Sequence, residues 1–468
     1  MLLPCLVAIA SVAQSTTTAF VGVNVIPMDR ERVLSNQTVL IVDGKISRIG
    51  ASAEVRVPAG AKAIDCKGKY LIPGLVDMHN HLFADSPEIA DDYAIQELRV
   101  MLANGVTTSR LMNGLPFQLT LRDRIAKGEL DLPNLSVSSP QLVGSERWAT
   151  AEPNSKLVTT PEQARAAVQE FKKAGYEAVK MTMDIKDRAV YDAIMDECAK
   201  QGLPGIGHVD PAIDANHAIE KGQQIEHLDA YLEAILKDDS PIKTSVTQGG
   251  LFRKENWASL DHIDEAKLAA IAKKTADAKV YVAPSLAFLK MIYGNQITQA
   301  ETRALPDFRF MPKSKVAEWD RALGIIYPRI AASEAHRKKF MRYRNELVRQ
   351  IHANGGKIMA GSDSPDVYLF SGFSMHRELQ CLVEAGLSLY AALEAGTRIP
   401  AEFLKASGRY GQVKSGLQAD LVLLDANPLA NIANTQKIAG VMLRGKWFEK
   451  PALAKMLDEA ATEAGKLP

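Results

Sequence analysis

The chain of 468 residues contains little cysteine and histidine, no excess of charge and no long apolar run. Its four cysteines, Cys5, Cys66, Cys198 and Cys381, are far apart, which excludes a disulfide framework and a Cys-x-x-Cys metal site. The 56 basic and 55 acidic side chains nearly cancel, so charge provides no case for nucleic acid or an anionic membrane as a partner. Because no stretch of about 18 apolar residues occurs, no membrane span is predicted.

The first residues are an apolar exception in this balanced composition. Residues 2–10 are mainly apolar, and Ser11-Val12-Ala13 has the small-x-small pattern of a signal-peptide cleavage site, although a basic segment does not precede it. We expect residues 1–13 to be a signal peptide, which makes the protein periplasmic or secreted. If they are not a signal peptide, the expected location is the cytoplasm.

Segments with a β-strand pattern occupy both ends of the chain, and the centre alternates between β and α patterns. Such alternation predicts a parallel sheet with helices outside it, and eight strands are the number that a closed (β/α)8 TIM barrel needs. The eight predicted barrel strands are residues 74–79, 106–112, 135–139, 177–182, 204–208, 224–228, 279–285 and 357–362.

We therefore predict an α/β fold in which a TIM barrel over residues 74–407 carries a small β-sandwich domain. That domain combines residues 14–73 with residues 408–450, and residues 451–468 form a C-terminal helix or tail. The unit after strand seven is about 40 residues longer than the others, and its helical insertion, at about 287–350, follows a strand on the catalytic face. We expect a lid over the substrate; a helical pair beside the barrel or a dimer contact is the alternative.

Four of the nine histidines lie at the carboxyl ends of predicted strands: His79, His81, His208 and His227. In a barrel these strand ends converge on one mouth. His79 and His81 are two residues apart in a strand, so they point to the same side, where two neutral imidazoles can bind one ion. The sequence therefore predicts a metal site at the mouth of the barrel.

Two charged side chains at strand positions complete the predicted site. Asp363 ends strand eight, where its carboxylate can bind a cation and accept a proton from bound water, so it is the candidate catalytic residue. Lys180 lies in strand four among apolar neighbours, and an unpaired buried lysine is costly. It is either paired in a salt bridge or carbamylated by CO2, which would turn an ammonium into an anionic oxygen ligand.

Five motifs in chain order carry a resemblance to a known family. They are PGLVDMHNH at residues 73–81, VK at 179–180, GHV at 207–209, IEHL at 225–228 and AGSD at 360–363. This set resembles the metal-dependent amidohydrolase superfamily and is most similar to its imidazolonepropionase-like and Xaa-Pro-dipeptidase-like members. The segment SGLQADLV at residues 415–422 is similar to the return of that family's chain into its small β-sandwich.

The resemblance implies two divalent ions, with zinc as the first expectation and manganese or iron left open. The implied ligands are, for the more buried ion, His79, His81 and Asp363; for the more exposed ion, His208 and His227; and for both ions, carbamylated Lys180. A hydroxide shared by the ions would attack the substrate carbonyl, and Asp363 would pass a proton to the departing nitrogen. The expected activity is hydrolysis of an amide-type C–N bond in a dipeptide, an N-acyl amino acid or a cyclic amide.

Other activities remain open at this stage. Residues 138–144 lack the histidine that relatives cleaving Xaa-Pro dipeptides often carry after strand three. Lys180 counts against the single-metal imidazolonepropionase and cytosine deaminase branches. The alternatives are an esterase, lactonase or carbamate hydrolase using the same centre, a mononuclear deaminase and, more remotely, a metal-free binding homologue.

Three residues on loops at the mouth are candidate substrate contacts. Tyr368 and His376 follow strand eight, and Trp148 follows strand three; for each, packing is the alternative. The expected partner is a small-molecule substrate, and a homo-oligomer is left open.

Overall fold

The computed structural model of the protein describes residues 17–82, 90–152, 154–241, 250–295, 298–329 and 333–467. The predicted signal peptide, residues 1–13, lies outside these ranges. Within them, the helices are either too short or too polar to cross a bilayer.

The strands form a large sheet of the small domain and two sheets that together make up the barrel. The N-terminal strands are β1 (Thr17–Val25), β2 (Leu34–Val42), β3 (Lys45–Ala51), β4 (Lys62–Asp65) and β5 (Tyr70–Pro73). Those of the central region are β6 (Leu75–Asn80), β7 (Val106–Leu111), β8 (Asn134–Val137), β9 (Leu142–Val143), β10 (Lys156–Leu157), β11 (Val179–Met181), β12 (Gly205–Gly207), β13 (Gln224–Glu226), β14 (Tyr281–Ala283) and β15 (Lys357–Ile358). The C-terminal strands are β16 (Leu421–Leu424), β17 (Ile438–Leu443) and β18 (Lys446–Glu449).

The helices alternate with the central strands and cover the barrel from outside. The first eight are α1 (Ala90–Ala103), α2 (Pro116–Ala126), α3 (Glu146–Ala151), α4 (Pro161–Ala174), α5 (Arg188–Gln201), α6 (Ala215–Glu220), α7 (Tyr231–Ala234) and α8 (Glu265–Asp277). The others are α9 (Leu286–Leu289), α10 (Gln299–Arg303), α11 (Lys313–Arg329), α12 (Glu334–Ala353), α13 (Phe373–Glu384), α14 (Leu389–Ala395), α15 (Arg398–Phe403) and α16 (Lys450–Lys466).

The small domain is built from both ends of the chain, as predicted. Its eight strands run in the order β18-β17-β16-β5-β1-β2-β3, with β4 beside β1. Because β3 also meets the segment before β16 through a bridge between Lys45 and Gln418, the sheet curls back on itself. Side chains from both ends of the sheet, such as Ile46 and Leu423, consequently share one apolar core. The predicted β-sandwich is confirmed.

The eight predicted barrel strands are present as β6, β7, β8, β11, β12, β13, β14 and β15, and their ladders are parallel. The ring closes at two places, through a bridge from Ser138 to Ala178 and another from Asn80 to Ser364. The predicted TIM barrel is confirmed. The sequence did not indicate β9 and β10, two short strands that extend the ladder beside β11.

Local signals explain where the outer helices begin and end. Helix α4 starts after Thr160, whose hydroxyl accepts a hydrogen bond from the Gln163 amide, and Pro161 occupies its first turn. It ends at Gly175, which takes a φ of 94° that favours glycine. The apolar side chains of its inner face, including Val168 and Phe171, are buried against the barrel.

Side chains pack inside the barrel at the end where its strands begin. Phe403 from α15 packs against a buried cluster of Met112, Ala178 and Ile206 inside the ring. The Arg110 guanidinium lies over the Phe403 ring at 5.4 Å from its centroid. Barrel enzymes place their active sites at the opposite end, at which the strands finish.

We expect Gly207→Ala to destabilise the barrel wall beside Lys180. Gly207 has a φ of +114°, and a Cβ there would lie 2.4 Å from the Met181 carbonyl oxygen and 2.9 Å from Lys180 Cδ. Backbone strain and overpacking together should cost about 2–4 kcal/mol. The matched control is Gly202→Ala, because Gly202 has a φ of +67° but open space around it. Urea unfolding of both variants tests the expectation, and equal losses in the two would contradict it.

Candidate metal centre

The six predicted ligand positions lie at the carboxyl ends of barrel strands. His79 is in β6, Lys180 is in β11, and His81, His208 and His227 each directly follow a strand. Asp363 follows β15 on a segment that returns to β6, because its amide donates a hydrogen bond to the His79 carbonyl oxygen at 2.7 Å. The parallel ring therefore brings side chains from five different strands to one end of the barrel.

His79, His81 and Asp363 form the tightest group in the site. His79 Nε2 lies 3.2 Å from His81 Nε2 and 3.1 Å from Asp363 Oδ1. His81 Nε2 lies 3.4 Å from the same carboxylate oxygen. Three ligand-type atoms thus lie within 3.4 Å of one another.

His227 and His208 extend this group toward the mouth. His227 Nε2 lies 3.6 Å from Asp363 Oδ2, and its ring centroid is 4.9 Å from that of His79. The His208 ring stacks on His227 at a centroid distance of 5.0 Å. Within the described residues, His79, His227 and Asp363 are a buried group whose ligand atoms lie within 4.8 Å of one another, close enough to hold one ion.

Lys180 lies in the same buried interior without a partner. Its side chain is 1% exposed, and its Nζ has no hydrogen-bond partner. Burial lowers the pKa of the Lys180 ammonium below its ordinary value, although Glu226 and Asp363 attract the charged form. Of the two alternatives for Lys180, the salt bridge is therefore not found among the residues that the structure describes.

Two carboxylates that the sequence analysis missed orient the histidines from behind. Glu226 Oε2 accepts a hydrogen bond from His79 Nδ1 at 2.8 Å, and Asp229 Oδ2 accepts one from His208 Nδ1 at 2.7 Å. With Nδ1 engaged, Nε2 of each ring is the nitrogen left for a ligand. Glu226 had a detectable signal, since it is a charged residue in a predicted barrel strand, like Lys180.

Asp77 and Ser362 tie the first strand of the barrel to the last beneath the site. The Asp77 carboxylate accepts hydrogen bonds from the Ser362 amide at 2.9 Å and from the Ser362 hydroxyl at 2.6 Å. Burial raises the pKa of Asp77 to about 6, despite these bonds. This link holds His79 and Asp363, which lie on the two joined segments, in register.

The backbone is strained where the site residues are presented. His227, Leu228 and Ala230 follow one another closely with φ values of 55°, 54° and 61°, and Asp363 has a φ of 57°. Residues with a side chain rarely adopt this left-handed region, and each instance costs about 1–3 kcal/mol. Such strain concentrates at functional sites, where the surrounding packing maintains it.

The surroundings shift the pKa values of His79, His81 and His227 in different directions. Burial lowers the pKa of His227 to about 3 and that of His81 to about 4. Burial opposes protonation of His79 too, but the Asp363 and Glu226 carboxylates raise its pKa to about 8. In turn His79 and His227 hold the pKa of Asp363 well below its usual range, against the effect of burial.

Tyr368 contacts the insertion in this arrangement. Its side chain is buried, its hydroxyl donates to the Asp320 carboxylate of α11, and its ring lies 5.2 Å from that of Trp319. The Trp319 ring also meets Phe370 edge-on at 5.6 Å. Helix α11 therefore packs onto the loop that follows Asp363. That Tyr368 contacts substrate stays a prediction.

His376 and Trp148 lie apart from the histidine cluster. The buried His376 ring makes a 3.0 Å hydrogen bond through Nδ1 to the Thr435 hydroxyl, so it joins α13 to residues 432–436. Trp148 is half-buried in α3 and lines a cleft of about 500 Å³ with Arg147 and Lys186. Their substrate roles remain predictions.

Comparison with known proteins places the chain in a family. The model of the amidohydrolase family matches residues 70–448, which is most of the chain. The chain belongs to the amidohydrolase family, and the resemblance inferred from the sequence motifs is confirmed. Members of this family are hydrolytic enzymes that act on C–N bonds, and the metal-binding character of the site agrees with that membership.

The chain spans less than two thirds of the length of the curated relatives that it matches. It is 49% identical over 49 residues to a dihydroorotase of Pelotomaculum thermopropionicum, covering 10% of this chain and 11% of that protein. It is 27% identical over 253 residues to an imidazolonepropionase of Methylobacterium nodulans, covering 49% of this chain and 61% of that protein. A Xaa-Pro dipeptidase crystallised with methionine in its active site is 19% identical, with a TM-score of 0.68 over 93% of this chain and all of that one. This last likeness shows the fold.

The metal-free protein should lose stability in acid partly through His227. An unfolded histidine takes up its proton near pH 6.5, whereas buried His227 does so only near pH 3. Between these values the unfolded state binds one more proton than the folded state. The contribution of His227 to the free energy of unfolding therefore falls by at most about 1.4 kcal/mol per pH unit as the pH drops below 6.5. Urea unfolding of metal-free wild type and His227→Asn at pH 7.5, 6 and 5 measures this fall. Parallel pH curves for the two proteins would refute the expectation.

Proposed function

We propose that this chain is a binuclear metal-dependent hydrolase that cleaves an amide-type C–N bond in a small substrate. The observation that supports the proposal most is the meeting of His79, His81, His227 and Asp363 around a buried lysine whose amine has no partner. A closed apolar or salt-bridged interior would not leave these groups facing one another.

The donor set fits divalent ions of the borderline type. Imidazole nitrogens and carboxylate oxygens are ligands that zinc, manganese and iron accept, and zinc is our first choice. The hydrogen bonds from His79 and His208 to the carboxylates behind them support binding through Nε2. We assign His79, His81 and Asp363 to the inner ion, and His208 and His227 to the outer ion.

Lys180 is proposed to bridge both ions as a carbamate. Only the neutral amine reacts, and burial favours that form by lowering the Lys180 pKa. The amine nitrogen bonds to the carbon of CO2 and releases a proton, and the product carries an anionic pair of oxygens. That product would remove the uncompensated ammonium from the centre and add negative charge beside the four histidines.

The side chains of the site would have different roles in the reaction. Two ions held here would supply Lewis acidity and lower the pKa of bound water. We propose that Asp363 accepts a proton from the attacking water, because its carboxylate lies among the candidate ligand atoms of His79 and His81. It can return that proton to the leaving nitrogen, because an amine departs poorly as an anion. His79 and His81 keep that carboxylate in position.

The substrate class follows from the relatives and from the proton-donating role of Asp363. Similarity to proteins named dihydroorotase, imidazolonepropionase and Xaa-Pro dipeptidase supports small amide-type substrates. Dipeptides, N-acyl amino acids and cyclic amides are therefore our candidates. An ester, lactone or carbamate could react at the same centre, since it also presents a polarised carbonyl.

A single-ion centre is the second candidate and has its own supporting observation. His79, His227 and Asp363 by themselves are near enough to hold one ion, as a mononuclear deaminase would need. Lys180 distinguishes the two candidates, because a single-ion centre leaves the buried amine without a function or a partner.

Replacing Lys180 should therefore separate the two centres. We expect wild type to bind two zinc ions per chain and Lys180→Ala to retain one or fewer, measured by elemental analysis after gel filtration. Bicarbonate should speed reconstitution of stripped wild type and have no effect on the variant. The control is Lys357→Ala, which removes a lysine at the opposite end of a barrel strand, where it pairs with Glu402. Full metal loading of Lys180→Ala would eliminate the carbamate bridge.

Asp363 can be tested through the leaving group. A panel of dipeptides, N-acyl amino acids, cyclic amides, lactones and carbamates first identifies the best amide and ester. Asp363→Asn should then reduce kcat/KM for the amide by about 10²–10⁴-fold, and for an activated nitrophenyl ester much less, because that ester's leaving group needs no proton. The amide-to-ester ratio does not depend on how much of the variant is loaded with metal. An unchanged ratio would remove the proton-transfer role from Asp363.

A further inference from the structure

The two carboxylates that orient the histidines lie in the barrel interior, where charge is expensive. Glu226 is completely buried and Asp229 is 1% exposed. A carboxylate in such surroundings persists as a hydrogen-bond acceptor only if an opposite charge compensates it. The structure contains two fully buried arginines near these carboxylates, Arg110 and Arg344.

Arg110 contacts Glu226 directly and is held in turn by the barrel. Its Nη2 lies 2.6 Å from Glu226 Oε1, on the side opposite to the bond with His79. Its Nη1 donates to Gln224 Oε1 at 2.7 Å, and its Nε donates to the Met78 carbonyl oxygen at 2.6 Å. The guanidinium, Glu226 and His79 therefore form a continuous hydrogen-bonded line from the barrel floor to the centre.

Arg344 approaches the other half of the centre from α12. Its Nη1 donates to the backbone carbonyl oxygen of His227, in the turn where three residues adopt left-handed φ values. Its Nε and Nη2 are buried without a hydrogen-bond partner, and Asp229 Oδ1 is likewise buried and unpartnered. The other oxygen of Asp229 accepts the hydrogen bond from His208 Nδ1.

We propose that Arg110 and Arg344 are positioning residues of the metal centre. In the inner half, Arg110 compensates the buried carboxylate of Glu226, which orients His79. In the outer half, Arg344 holds the strained turn that carries His227 through its hydrogen bond to the His227 carbonyl oxygen. The inference rests on the proposed function, because the ions are what the oriented Nε2 atoms would bind.

The hydrogen-bonded line of Arg110, Glu226 and His79 is tested by a pair of variants. Together they separate an effect on metal binding from an effect on folding. Arg110→Met leaves Glu226 uncompensated, so it should lower both thermal stability and metal affinity. Arg110→Met/Glu226→Leu replaces the ion pair by apolar side chains, an exchange that buried pairs often tolerate without loss of stability. We expect the double variant to melt within a few degrees of wild type and yet to bind the inner zinc about 10–100-fold more weakly, because His79 has lost its partner.

The contact of Arg344 with the turn at His227 is tested with Arg344→Met, which removes the hydrogen bond to the His227 carbonyl oxygen. Zinc affinity is measured by competition with a chromophoric chelator, and the ligand field is measured by cobalt absorption spectra. Replacing Arg344 should change the zinc affinity of the weaker of the two binding steps and leave the affinity of the tighter step unchanged. The control is Arg444→Lys, since Arg444 is a partly buried arginine of the small domain that donates to the Leu130 and Leu132 carbonyl oxygens.

The outcomes are distinguishable from failure of the proposed function. If wild type binds no zinc, the proposed function is wrong and the inference falls with it. If wild type binds two ions and the variants Arg110→Met, Arg110→Met/Glu226→Leu and Arg344→Met bind them with wild-type affinity and spectra, the proposed function stands and the positioning role is overturned. Loss of affinity in Arg444→Lys equal to that in these variants would also overturn it, since the effect would then be one of general destabilisation.

Discussion

Compensation of buried charge is the constraint on which this site depends. The upper interior of the barrel holds histidines, carboxylates, a lysine and arginines that are almost completely removed from water. Each charged group lowers the energy of its neighbours only in a particular geometry, because a buried charge without a partner costs several kcal/mol. The positions of Glu226, Asp363 and Lys180 are consequently linked to one another.

The barrel provides that geometry by joining its first and last strands at the site. Asp77 binds Ser362, and the backbone around His79 bonds to the segment of Asp363. The ring closes at the same point where the ligand candidates are densest. Strain in the turn at His227 and at Asp363 is tolerated because packing on all sides holds it. The contacts that close the barrel therefore also hold the ligand candidates together.

The insertion after β14 contributes to the site from outside the ring. Helix α11 packs through Trp319 onto the loop that follows Asp363, and α12 sends Arg344 to the backbone of His227. Tyr368, a candidate substrate contact from its sequence position, donates a hydrogen bond to Asp320 of that insertion. The sequence could not indicate this contact, since it depends on which helix packs against the loop.

The sequence by itself determined the architecture and the group of residues that meet at the mouth. Alternating patterns of period two and 3.6 identify the barrel strands, and parallel strands in a ring must end together, so His79, His81, His208, His227, Lys180 and Asp363 could be brought to one place. Only the tertiary structure decided which groups support them. Arg110 and Glu226 are 116 residues apart, and Arg344 is 117 residues from His227, so their contacts leave no local pattern. They arise because a closed interior forces buried charges from distant strands and helices to pair.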